Sequence, residues 1–383
     1  MSASARGPAR PVSDYPPVVV LLGGPSAEHD VSIVSGTAIA EALGRLGLRV
    51  QPVLIDLAGR WWWLPVDHRR AGRSPADYDA PAALGADGPH PVGAAVDRLT
   101  RGAAAPLVFI ALHGPFGEDG TIQGVLQAAG VAYTGSGVAA SAIGMDKALF
   151  KRLARGLGLP VPDWREIGAG RWRADPRAVL AELEAFAAAC GDPRLMIKPA
   201  RLGSSVGMTL AHVPAERGPA LEEAFRFDSL ALAEVYVAGA RDMEVSVLGN
   251  DPGGLELYGP GEIISRREFY DYQAKYTPGL SETRIVAELE PRQREVILKL
   301  ARDAYRAVGA ADYARVDFLA TAGRIWLSEI NTIPGFTPIS LFPSMPAAGG
   351  YDFAGVCLRI VDLALARVAA GPARTLLPED LPR

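Results

Sequence analysis

The chain is poor in cysteine, in lysine and in long apolar runs, and each shortage excludes something. Cys190 and Cys357 are its only cysteines, in helical-looking stretches without metal-type spacing. That excludes a disulfide scaffold and a thiolate zinc site, and it predicts two buried thiols in a reducing cytoplasm. No apolar run reaches the roughly 18 residues of a membrane helix, so no membrane partner is expected. A formal net charge of −4 provides no basic excess for nucleic acid. The opening MSASARGPARPVSDYPP has no apolar signal core, and residues 1–15 read as a flexible tail. Basic residues are almost all arginine; Lys147, Lys151, Lys198, Lys275 and Lys299 are the only lysines. A chain that uses Arg by default and keeps Lys at so few places has a use there for a compact ammonium.

What is present is a core-forming chain of 383 residues, 49% hydrophobic, enough for two or three domains. Its most informative stretch is ARVDFLATAGRIWLSEINTIPGFTPIS, 314–340. Strands over Tyr313–Ala320 and Arg324–Ile330 are predicted, joined by Thr321, Ala322 and Gly323. Alternation puts Arg315 and Asp317 on one face, and likewise Glu329 and Asn331. Folding about Ala322 sets 315 opposite 329 and makes Asp317 and Glu329 diagonal neighbours, roughly 7 Å apart at Cα. Two acids and an amide oxygen so placed suit a hard cation such as Mg²⁺ that carries phosphates. A solvated hairpin end neutralised by Arg315 is the plainer reading.

Pro17–Leu22 reads as a strand that closes on Gly23-Gly24-Pro25-Ser26. A helix follows over about Ser32–Leu46, capped by Ser26 or Asp30, and then a strand over Leu48–Leu54. This βαβ opening predicts a parallel sheet with a crevice at its carboxyl ends, where Glu28 sits. Residues 59–103 read as an irregular insertion whose Trp61-Trp62-Trp63 cluster packs. Pro106–Leu112 is a buried strand that delivers His113 and the loop to Gly120 into the same crevice. Lys147 opens a helix that ends at Gly156–Gly158. Strand Leu195–Pro199 carries Lys198 into a Gly/Ser loop, Gly203-Ser204-Ser205-Val206-Gly207, and the strand Met208–Ala211. Strand–loop–strand differs from a Walker loop, which opens a helix, and suits a flap over phosphates. Strands over Leu230–Val237, Val245–Leu248 and Gly261–Ile264 precede an aromatic stretch, 266–276, that reads as a lid bearing Lys275 and Tyr276. Helices over Pro291–Gly309 and Phe353–Ala370 complete the series.

Lysines that straddle a polyphosphate, with Mg²⁺ opposite, describe ATP-driven phosphoryl transfer. Eight blocks in order, GGPSAEHDVS, ALHGPFGEDGTIQG, YTGSG, MDKALFKRL, KPARLGSSVG, FYDYQAKY, ARVDF and EINTIPGFTPISLFP, make the chain resemble the D-alanine–D-alanine ligases of the ATP-grasp superfamily. The likeness runs from about Val18 to Ala366. It implies a mixed α/β (α+β) multidomain fold: a Rossmann-like parallel-sheet domain over 16–137, a central ATP-grasp domain with the flap over 138–236, and a C-terminal ATP-grasp domain over 237–383. It also implies a homodimer, with ATP and D-alanine as substrates.

Carried over position by position, the resemblance places Lys147 and Lys198 at the ATP phosphates and the adenine side, with the flap's Ser205 also binding the nucleotide. Glu234 lies beside adenine, Glu244 at the ribose and Lys275 at the transferring phosphate. Asp317, Glu329 and Asn331 hold two Mg²⁺ (or Mn²⁺) ions. Glu28 takes the first D-alanine's ammonium with His113 nearby. Arg315 and the Gly335 N–H stabilise the oxyanion, and Ser340 and Leu341 hold the second carboxylate. Glu28, Ser204 and Tyr276 form a latch between flap and lid. One departure is Leu202, where the family often has an acid that can support flap closure.

Three alternatives follow. A D-alanine–D-lactate or D-serine ligase is disfavoured by Tyr276, which resembles the dipeptide-forming type. A catalytically silent nucleotide sensor is disfavoured because Arg315, Asp317, Glu329 and Asn331 are all present. A nicotinamide dehydrogenase is disfavoured because Gly23-Gly24-Pro25 does not fit G-x-G-x-x-G.

Overall fold

A computed structural model of the chain describes residues 10–102, 104–266 and 279–371. The first apolar runs form parallel strands because they are β-branched, short and buried on both faces. β1 (Val18–Gly23), β2 (Val50–Ile55), β3 (Trp61–Trp63), β4 (Asp87–His90), β5 (Leu107–Ile110) and β6 (Ala132–Tyr133) make a six-stranded sheet in the order β4-β3-β2-β1-β5-β6. β1 pairs in parallel with β2 on one side and β5 on the other, so the strand order reverses at β1/β5. Such a reversal leaves a crevice beyond the carboxyl ends. Gly23 ends β1 at φ +84°, where an added Cβ would run into the Ile55 carbonyl, so only glycine fits that turn.

The stretch 59–103 is not irregular as expected. It adds β3 and β4 antiparallel to the sheet edge, followed by the helix Val92–Thr100. Trp61 is fully buried, and the Arg98 guanidinium lies 4.4 Å from the Trp63 ring. The tryptophans do pack, as a strand of their own. The first helix begins at His29, three residues earlier than expected, with neither Ser26 nor Asp30 as its cap.

β7 (Trp164–Gly168), β8 (Leu195–Pro199), β9 (Thr209–Ala211) and β10 (Leu230–Val235) form a four-stranded antiparallel sheet backed by the helices Pro176–Cys190 and Pro214–Phe225. β11 (Arg241–Gly249), β12 (Leu255–Ser265), β13 (Ser281–Arg284), β14 (Tyr313–Ala320) and β15 (Ile325–Asn331) form a five-stranded antiparallel sheet. The helices Lys147–Gly156 and Pro291–Val308 pack on it. The C-terminal helix, Phe353–Ala370, is as expected in extent, yet it packs back on β1 and the helix His29–Arg45. Cys357 is a buried thiol and Cys190 a partly exposed one.

Asp312 ties the first and third sheets together. Fully buried at φ +62°, it accepts hydrogen bonds from Gly135 N (2.8 Å), Asn250 Nδ2 (3.1 Å) and Arg367 Nε and Nη2 (3.0 and 2.9 Å). Asp312→Ala leaves these donors unpaired and should cost about 3 kcal/mol. Urea unfolding is expected to show a midpoint lowered accordingly.

Candidate active site

The crevice at β1/β5 holds Glu28 and His113. Glu28 sits at the start of the helix His29–Arg45, where the helix end favours a negative charge. Its Oε1 accepts a short hydrogen bond from Ser204 Oγ on the flap. Its Oε2 is buried and has no hydrogen-bond partner among the described residues. Two glycines leave that oxygen its room: a Cβ would come within 2.6 Å of it at Gly114 and within 2.7 Å at Gly203. A buried carboxylate oxygen kept bare in this way wants a cation. His113 faces the Ile333 carbonyl through Nδ1 (3.1 Å) and Ser35 Oγ through Nε2 (2.9 Å), with Glu118 Oε1 at 3.9 Å. Burial disfavours the imidazolium, but Glu118, Glu28 and the Ile333 carbonyl outweigh it and hold the His113 pKa above its ordinary value.

The carboxylate hairpin forms with a different register from the expected one. The loop contains four residues, Thr321–Arg324, and Ser328 is an extra residue in a bulge between the pairs Phe318↔Leu327 and Asp317↔Glu329. Together they move the pairing by two, so Arg315 lies opposite Asn331, and Asp317 and Glu329 are direct partners rather than diagonal ones. On the other side Asp317 is opposite Glu244 of β11. Three carboxylates thus stand in one row across adjacent strands, an arrangement that is unfavourable unless cations intervene.

Cations do intervene. Arg315 forks onto Asp317 with Nε and Nη2 at 2.7 Å each and reaches Glu244 at 3.4 Å. Lys147 Nζ is 3.1 Å from Glu329. Burial opposes both charges, yet the acids hold both pKa values above their ordinary range. Asn331 Nδ2 donates to Asp317 at 3.0 Å.

Asp146 caps the helix Lys147–Gly156 by accepting from Ala148 N and Leu149 N, which fixes Lys147 at its first turn. Lys147 Nζ also donates to the Leu202 carbonyl at 2.8 Å. The flap is therefore pinned through the backbone at 202, where the side chain had raised doubt. Ser204 and Ser205 both take positive φ, +52° and +57°, a costly pair of conformations that the surrounding contacts sustain.

Glu234 of β10 is buried between two ammoniums, Lys198 Nζ at 2.9 Å and Lys151 Nζ at 3.2 Å. Burial would raise the Glu234 pKa, but the two lysines lower it. Burial pushes Lys151 down to about 8, with Glu234 opposing and Lys198 adding to the fall. Ser340 precedes the short helix Leu341–Ser344, and its Oγ accepts from Thr337 N (3.2 Å) and meets Thr337 Oγ1 (2.7 Å).

A cleft of about 550 Å³ brings together Glu28, His113, Ser204, Glu244, Arg315, Glu329, Asn331, Gly335, Ser340 and Leu341. An adjoining slot of about 170 Å³ brings together Lys147, Lys198, Ser205, Glu234 and Asp317, and shares Glu244, Arg315 and Glu329 with the cleft. Met196, Met208, Val235, Val237 and Phe318 give the slot apolar walls. Lys275 and Tyr276 lie outside the described residues. Glu118 and Lys151 belong to this neighbourhood and were not anticipated; the scarcity of lysine was the only signal for Lys151. Among the described residues no three acids or histidines converge as a metal site. Two acids and an amide leave open positions that phosphate oxygens would fill, so the donor set suits Mg²⁺ with a nucleotide.

Two antiparallel sheets that enclose such a slot beneath a Gly/Ser flap, next to a parallel sheet with its own crevice, define an ATP-grasp protein. The model of the D-ala D-ala ligase N-terminus matches residues 17–136 and that of the D-ala D-ala ligase C-terminus residues 153–362. The D-alanine–D-alanine ligase of Chlorobaculum tepidum is 39% identical, covering 91% of this chain and 96% of that protein. The corresponding protein of Deinococcus radiodurans is 38% identical, covering 91% and 98%. The D-alanine–D-alanine ligase structure from Coxiella burnetii superposes with a TM-score of 0.73 at 29% identity, covering 92% and 95% of the two chains. The D-Ala:D-Ser ligase VanG from Enterococcus faecalis does so with a TM-score of 0.77 at 29% identity, covering 92% and 100%. The chain belongs to the D-alanine–D-alanine ligase family.

Lys147 is the pin between flap and hairpin, so Lys147→Met should free the flap. Trypsin cleavage after Arg201 is expected to speed by about tenfold as local opening becomes easier. An unchanged cleavage rate would show that the flap is held by other contacts.

Proposed function

We propose that this chain joins two D-alanines into D-alanyl-D-alanine for peptidoglycan synthesis, converting ATP to ADP and phosphate. The observation that carries the reading is the row Glu244–Asp317–Glu329, compensated by Arg315 and Lys147 where the slot meets the crevice of Glu28. The first D-alanine sets its ammonium on the bare Oε2 of Glu28, with His113 beside it. Its carboxylate oxygen attacks the γ-phosphorus of ATP, giving an acyl phosphate and ADP. The amine of the second D-alanine, held by its carboxylate at Ser340 and Leu341, attacks the acyl carbon. Arg315 and the Gly335 N–H receive the charge of the tetrahedral intermediate, which then expels phosphate, the nitrogen's proton leaving with that phosphate, and leaves the dipeptide.

The nucleotide lies in the slot, its adenine by Glu234, its ribose at Glu244 and its phosphates near Lys147, Lys198 and Ser205. Asp317, Glu329 and Asn331 would hold two Mg²⁺ or Mn²⁺ ions, which supply charge neutralisation between the attacking carboxylate and the phosphates. Lys275 would serve the transferring phosphate, and Tyr276 would act with Ser204 and Glu28 to keep water from the acyl phosphate. The units 16–137, 138–236 and 237–383 work as three domains around this site, in a cytoplasmic homodimer.

Phosphate release from ATP should require D-alanine, yield D-alanyl-D-alanine, stop with EDTA and return with Mg²⁺ or Mn²⁺. The likeness to a D-Ala:D-Ser ligase makes D-serine the rival second substrate. Faster turnover with D-alanine plus D-serine or D-lactate than with D-alanine alone would overturn the assignment. Glu28→Gln should lower kcat/KM for D-alanine by about 100-fold, the equivalent of one lost charge-assisted contact of about 3 kcal/mol.

A further inference from the structure

Lys151 takes no part in the reaction above, yet it is among the most deeply buried charged groups of the chain. Its side chain is 0% exposed and its Nζ lies 3.2 Å from Glu234 Oε1. Glu234 is the carboxylate that holds this ammonium. The Trp164 ring is 5.8 Å away. Lys198 contacts the same carboxylate oxygen, at 2.9 Å, but from the other side: Lys198 and Glu234 line the slot and Lys151 does not.

A buried carboxylate with two ammoniums is overcompensated. Lys198 sits on β8 at the root of the phosphate flap, so it is the partner that a polyphosphate would draw away. Lys151 is on the helix Lys147–Gly156, whose N-terminal N–H bonds to the Ala200 carbonyl, and it has no ligand to turn to. Were Lys151 absent, Glu234 would lose its last counter-ion as the nucleotide entered, and a buried carboxylate without one takes up a proton. A protonated carboxyl presents a donor to the base; an ionised one presents only acceptors.

We infer that Lys151 is a positioning residue for nucleotide choice: it remains on Glu234 when Lys198 turns to the phosphates, keeping that carboxylate an acceptor that selects a base with an exocyclic amine. The inference rests on the reading that adenine lies against Glu234. Selection against a base with a carbonyl at the same position follows, because two acceptors would then face each other.

The test compares ATP with inosine triphosphate, which has a carbonyl where ATP has an amine, in the D-alanine-dependent reaction. With Lys151→Met, KM for ATP should rise about tenfold or more, kcat should change less than threefold, and the preference for ATP over inosine triphosphate should fall by about tenfold. Lys151→Arg, which keeps the charge, should restore most of that preference. If Lys151→Met does not fold, the double variant Lys151→Met with Glu234→Gln removes both charges. It should fold and show the same nucleotide preference as Glu234→Gln alone, since a neutral amide needs no counter-ion. An unchanged nucleotide preference in Lys151→Met, or a further loss in the double variant, would overturn the inference. Wild-type protein without D-alanine-dependent ATP turnover would instead overturn the reading on which it rests.

Discussion

Charge compensation across separate elements is the constraint on which the structure depends. Glu244, Asp317 and Glu329 stand side by side on three neighbouring strands, where like charges repel. Arg315 from the middle strand and Lys147 from a helix outside the sheet make that row tolerable. Glu234 has the same problem in the second sheet and the same solution, with Lys198 and Lys151. A buried ion pair gains little net stability against a well-packed apolar pair, so these pairs are better explained by what they do than by what they stabilise. Lys147 and Lys198 line the slot, where each could turn from its carboxylate to a ligand's negative charge, whereas Lys151 does not line it.

That exchange also explains the flap. Lys147 holds Glu329 and the Leu202 carbonyl at once, so the acid row and the flap share a pin. Ser204 then brings its hydroxyl to Glu28, more than 170 residues away in sequence, and joins the flap to the crevice of the first sheet. The cost of two serines at positive φ is sustained by these contacts. The slot, the flap and the crevice are in this way joined through four side chains, Glu329, Lys147, Ser204 and Glu28.

The local chemistry was largely legible in the sequence and the pairing of remote elements was not. Alternation along Arg315, Asp317, Glu329 and Asn331 gave their common face. Their register was off because a bulge at Ser328 has no signature in SEINT, and the four-residue loop could not be told from a three-residue one. The strand Trp61–Trp63 was missed because Gly and Pro on both sides look like irregular chain, while its partner β2 decides the matter. The contact of Lys151 with Glu234 joins positions 83 residues apart in different sheets and helices, and no periodicity reports it. The Leu202 position looked like a loss from its side chain, although the working group there is the carbonyl that every residue has.

In the proposed reaction an oxygen of the first D-alanine's carboxylate attacks phosphorus before the peptide bond forms. D-alanine labelled with ¹⁸O in its carboxylate tests this directly, by mass analysis of the phosphate released during turnover with unlabelled ATP. One labelled oxygen is expected in each phosphate, transferred from the acyl phosphate as the amine displaces it. Phosphate free of label, with dipeptide still formed, would contradict it.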